Sequence, residues 1–174
     1  TTRELQANLA QRYISRAPIH TLALDSPQPL RIELSDSFGR SLTVDDRDRS
    51  ESRLLPYAQR IDLDASQEAT KSLLLYNGRS GTPLRAMIQT ETSTTVDLGL
   101  VFPTHSHTHC SGEATGIDLD QGESLVVRWD VSETCPEDLE WEIQQFGTKA
   151  IAAPIALAPI TDLPPAVVSL QQWA

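Results

Sequence analysis

The sequence predicts a mainly antiparallel β protein, sandwich-like, with one N-terminal amphipathic helix. Three observations carry this. After Pro18 the apolar residues recur with period two in many short runs. Turn-forming residues, among them Asn77-Gly78, Gly81-Thr82-Pro83 and Gln121-Gly122, separate those runs. Before Pro18 the period is close to four instead, with Leu5, Leu9 and Tyr13 on one face and Ala10 and Ile14 beside them. The expected organisation is one domain over 1–174: a helix over 1–17, antiparallel strands over 18–149, and an apolar, proline-rich extended tail over 150–174.

The helix is expected to stop before Pro18, whose ring disfavours helical backbone in the residue ahead of it. An apolar stripe of this kind has to be laid on something, and a sheet is the expected support. "IHTLAL", "LRIEL" and "SLTV" then alternate, while "DDRDRSES", residues 45–52, reads as an exposed charged loop. "AQRIDLD", "SLLLYN", "LRAMIQT", "TTVDLGLVF", "GIDLD", "SLVVRWDV" and "LEWEIQQF" continue the strands. A faint echo links "RIDLDASQEATKSLLLYN" to "GIDLDQGESLVVRWD", and alternating strands with polar turns produce such matches without a true repeat. The last 25 residues carry one charge, Asp162, and four prolines, which prevent a long helix or a central strand. That tail is expected to pack on its own sheet.

The 174 residues carry a formal net charge of -10. Phosphate backbones and anionic lipid repel such a chain, so nucleic acid and membrane surfaces are poor partners for it. The charge is uneven: nine arginines against eight acids in residues 1–60, then five Lys or Arg against sixteen acids. The acids concentrate between Glu113 and Glu142, either as a solvated face or as a surface for a basic partner or calcium. They lack the Asp-x-Asp-x-Asp-Gly order of an EF-hand loop.

Cys110 and Cys135 are the two cysteines. They flank polar, turn-rich sequence and do not form a Cys-x-x-Cys pair, which suits a structural disulfide in a periplasmic or extracellular setting. Two buried free thiols are the alternative. No apolar run is long enough to span a bilayer. The sequence opens at "TTRELQ" without an initiating Met, which reads as a processed start. Membrane contact is expected only through an N-terminal anchor upstream.

"HSHTHC" is the stretch closest to chemistry. In a strand, His105, His107 and His109 share one face. Neighbours of the His-x-His type lie roughly 7 Å apart and can converge on one metal, whereas the outer pair, roughly 14 Å apart, cannot without a bend. A complete metal site needs a carboxylate, and Glu113 or Asp118 is nearest in sequence. The plainer reading is a polar strand edge leading to the disulfide, with no cofactor. Nucleophile elbows, His-Glu-x-x-His and phosphate loops are missing, so no enzyme is expected, although a dispersed hydrolase site built on His20 or the cluster is a third reading. Trp129 and Trp141 lie in strand-like runs and are expected as core anchors or half-exposed cross-strand partners rather than a sugar platform, with Trp173 as a packing latch or an interface hot spot.

Two stretches carry a family resemblance. "LAQRYISRAPIHTLAL", residues 9–24, and "SLLLYNGRSGTPLRAMIQ", residues 72–89, resemble the minor pseudopilins of type II secretion and the related minor type IV pilins. The resemblance covers the first half of the chain; the acidic second half and its apolar tail depart from it. It implies an α+β globular head on a helical stem and an assembly function with no catalytic residues to carry over. The expected function is an exported, non-enzymatic assembly or interaction domain of a bacterial cell envelope, with protein partners of the same assembly. The alternative is a soluble β-sandwich that binds a ligand or metal through His105, His107 and His109.

Overall fold

The computed structural model describes residues 19–64, 68–77, 83–105, 108–145, 148–151 and 155–160. They form fourteen strands: β1 (His20–Ser26), β2 (Leu30–Ser35), β3 (Ser41–Asp45), β4 (Ser50–Arg53), β5 (Ala58–Asp62), β6 (Thr70–Tyr76), β7 (Leu84–Thr90), β8 (Thr94–Pro103), β9 (His109–Leu119), β10 (Glu123–Trp129), β11 (Asp138–Leu139), β12 (Trp141–Gln145), β13 (Thr148–Ile151) and β14 (Ile155–Ile160). One sheet runs β11-β14-β9-β8-β1-β6-β5 and the other β13-β12-β10-β7-β2-β3-β4. All the pairings are antiparallel.

Period-two patterning builds the space between the sheets. Leu30, Ile32 and Leu34 of β2 point inward and are fully buried, while Arg31, Glu33 and Ser35 stay half-exposed. Leu84, Ala86 and Ile88 do the same on β7, and Leu22 and Leu24 on β1. Phe102 is the largest fully buried side chain of this core.

Polar stitches cross from one sheet to the other. Asp46, in the β3–β4 turn, pairs with Arg60 of β5 at 2.6 Å and accepts from the Thr70 hydroxyl of β6 at 2.6 Å. That hydroxyl also accepts from the backbone N–H of Leu30 at 2.8 Å. Every member of this small network has a partner, which is what makes a buried ion pair tolerable.

The expected sandwich is present, and the α+β pilin-like variant is corrected. The described residues contain two antiparallel sheets and no helix. A pilin-like head would need a helix to cover the inner face of a single sheet; here a second sheet covers it. The helix expected over residues 1–17 lies outside the described residues. The loop expected over 45–52 is a four-residue turn, and its last residues begin β4, an edge strand with every side chain exposed. Of the tail expected over 150–174, Ala150 and Ile151 end β13 in the second sheet, and Ile155–Ile160 enters the first sheet as β14, between β11 and β9. Residues 161–174, Trp173 included, lie outside the described residues.

Gly112 of β9 lets β14 approach. A Cβ there would come within 2.7 Å of the Ala156 carbonyl oxygen and 2.8 Å of the Ile155 side chain. Only glycine fits that spacing.

Candidate functional site

The histidine stretch is a hairpin turn rather than a continuous strand. β8 ends at Pro103, and Thr104 closes the turn by donating its N–H to the Thr108 carbonyl at 2.8 Å. His105 sits exposed in that turn, its N–H donating to the Ser132 carbonyl at 2.9 Å. His109 opens β9, half-buried, with Nε2 enclosed and without a hydrogen-bond partner. Burial holds its pKa below the usual histidine value. His107 lies outside the described residues. Glu113 and Asp118 are exposed on β9. Among the described residues no group of three or more His, Cys, Asp or Glu side chains is placed to hold a metal ion.

Cys110 and Cys135 are joined in a disulfide, with Cα atoms 5.4 Å apart. The bond ties β9 to the loop ahead of β11. Cys110 is fully buried in the main core. A disulfide is consistent with an oxidising compartment.

His20 is a core residue. It is 3% exposed, and its Nδ1 accepts from the Trp129 indole N–H at 3.0 Å. The ring also lies 5.7 Å from that of Tyr76. Burial, helped by the charge of His109, pushes its pKa down to about 4. It is a neutral acceptor locked by an indole, a poor starting point for a catalytic base. Trp141 is buried as expected of an anchor, with its indole nitrogen unpaired.

The feature that sequence reasoning missed lies at the opposite edge, between β4 and β5. Leu54 is 70% exposed and Tyr57 is 75% exposed, while Leu55 between them is buried. Tyr57 has φ 63°, in the left-handed region that a bulky side chain enters only at a cost. Its carbonyl is fixed by the N–H of Asn77 at 3.0 Å. Beside it opens a cleft of 520 Å³, lined by Ile19, Leu55, Pro56, Ala58, Leu75 and Asn77 among others. "LLPYA" gives a sequence reader an apolar run after a charged turn; nothing in it reveals that the first Leu and the Tyr face water.

No protein-family model, no characterised protein and no solved structure matches this chain.

Proposed function

We propose that this chain is an exported, non-enzymatic interaction domain of a bacterial cell envelope, working outside the cytoplasm and binding protein partners of its own assembly. The observation that supports this most is Tyr57. An exposed aromatic side chain held in left-handed backbone costs about 1–2 kcal/mol, and strain of this kind gathers at sites of recognition. Tyrosine is also the side chain that binding surfaces favour, since it offers a large contact area at low entropic cost. With Leu54 beside it and the cleft behind it, the β4–β5 edge is the natural contact surface. The disulfide supports an oxidising location.

The test places a photo-crosslinking residue at position 57 in cells that express the natural gene. A discrete adduct, identified by mass and lost on Leu54→Ser, is the expected result. Tyr57→Gly should melt no lower than the parent chain and should also lose the contact. The proposal fails if position 57 yields no adduct while the protein is folded and disulfide-bonded, or if the cysteines are reduced in the cell.

A further inference from the structure

The outer face of the second sheet carries an unmatched cation. Arg85 of β7 points away from the core that its neighbours Leu84 and Ala86 face. It is half-buried, its Nε is enclosed without a hydrogen-bond partner, and its Nη2 donates to the Met87 sulfur at 3.7 Å. Among the described residues Arg31, Arg40, Arg47, Arg53, Arg60 and Arg128 each pair with a carboxylate, and Arg85 does not. Arg49, also unpaired, stands exposed to water. Glu33 and Glu142 on the same face as Arg85 turn to Arg31 and Arg128 instead. Arg128 lies directly opposite Arg85 in the β7–β10 register, which sets like charges on adjacent strands. Enclosing a charged donor without an acceptor costs stability, and the isolated fold gains nothing from it. The chain has 24 acidic residues, so the missing counter-ion is not for want of acids.

The register connects Arg85 to the β4–β5 edge. Arg85 lies opposite Ser35 of β2, Ser35 lies opposite Ser41 of β3, and the Leu54 N–H donates to the Ser41 carbonyl at 2.8 Å. These four positions fall on one row across the sheet. Two small, half-exposed serines separate the exposed leucine from the arginine. Three strand spacings make the row roughly 14 Å long.

We propose that Arg85 receives a carboxylate, the side chain of an Asp or Glu on the protein partner that the β4–β5 edge binds; this rests on the contact surface proposed above. The partner's segment lies across Ser41 and Ser35, with an apolar side chain at Leu54 and the acid at Arg85. A planar guanidinium matches the two oxygens of a carboxylate, and partial burial shields the pair from the screening that weakens a surface ion pair.

The test uses the adduct from a photo-crosslinking residue at position 57, and a second such residue at position 41, in cells that express the natural gene. Both positions should capture the same partner. Arg85→Glu should lower both yields at least tenfold. Arg85→Met keeps the aliphatic stem, so it should lower the yields while the purified chain melts no lower than the parent. The peptide captured from position 41 should carry an Asp or Glu, and changing that acid to Arg should restore the yield in the Arg85→Glu background. An adduct at position 57 that persists undiminished in Arg85→Glu overturns the assignment and leaves the β4–β5 contact standing. So does a captured peptide with no acid whose exchange restores the yield. A lower melt for Arg85→Met would give the side chain a structural role and also overturn the assignment. No adduct at either position removes the contact surface and this inference with it.

Discussion

The indole nitrogen of Trp129 on β10 donates to Nδ1 of His20 on β1 across 3.0 Å, so one hydrogen bond joins the two sheets inside the core. The acceptor must be an unprotonated nitrogen, which ties the bond to the charge state of the imidazole.

Acid should therefore weaken the fold well above the carboxylate range. The folded pKa of His20 is about 4 against an unfolded value of 6.5, so the unfolded chain binds the extra proton between those limits. Stability is complete above pH 6.5 and falls as pH drops toward 4, by about 3 kcal/mol at the limit. Half-buried His109 shifts in the same direction and adds to the trend. Denaturant melts at pH 7.5, 6, 5 and 4.5 measure the slope. Replacing His20 with Phe should flatten it while lowering stability at pH 7.5, because the indole N–H loses its acceptor. A slope that survives the replacement unchanged would assign it elsewhere.

Below that window Asp36 and Asp45 take over. Burial would raise the pKa of Asp36, but hydrogen bonds from the Arg40 side chain, the Arg40 N–H and the Phe38 N–H outweigh it and hold it low. The Arg47 guanidinium does the same for Asp45. Their contribution is present above the ordinary carboxylate pKa and is lost as pH falls through the lowered folded value. Asp36→Asn should leave the melt between pH 6.5 and 4.5 with its parental slope, a result that separates the two titrations.

Reducing the disulfide should be costly. Cys110 and Cys135 are 25 residues apart, and a loop of that size contributes about 3.5 kcal/mol in the chain-entropy account. Intact mass before and after reduction counts the thiols, and urea melts of the double Cys→Ser variant measure the loss. Two thiols that react before reduction, in protein taken from an oxidising compartment, would remove both the bond and the argument for export.

Gly112→Ala is expected to separate β14 from β9. The added methyl would meet a backbone carbonyl oxygen at 2.7 Å, and backbone cannot swing aside as a side chain can. Overpacking of this kind costs about 1–3 kcal/mol. Hydrogen exchange should quicken at Ala158 and Ile160, whose N–H groups face β9, and stay slow in β2 and β7. Equal protection in both variants would show that the strands shift to accept the methyl.

Protein prepared without a histidine tag should carry no stoichiometric zinc or copper. Elemental analysis checks this. About one metal per chain, lost when His105 and His109 are changed to Ala, would favour the ligand-binding sandwich over the interaction domain.

The strands were legible in the sequence because a half-buried strand writes its period directly. "LRIEL" and "LRAMIQT" alternate apolar with polar, and each alternates buried with half-exposed in the fold. The sheet order was hidden, since β1 pairs with β6 and β8 far along the chain and no local signal specifies partners. The histidines misled for a related reason. Three at alternate positions suggest one strand face, but Pro103 and the paired threonines Thr104 and Thr108 turn the chain there. Left-handed backbone at a tyrosine leaves no trace in residue type, so the β4–β5 edge could be found only in the structure.

The central place of β1 sets an order in time. Leu22 emerges from the ribosome first, but it lies between Leu74, 52 residues later, and Leu100, 78 residues later. At about 5–20 residues per second, the second neighbour arrives roughly 4–16 s after the strand it must flank. Until β6 follows, "HTLAL" is an apolar strand with neither edge paired, and until β8 follows one of its edges stays open to pairing with another chain. A chain built this way cannot complete its first sheet as it is made, and remains unfolded long enough for holding factors to engage it.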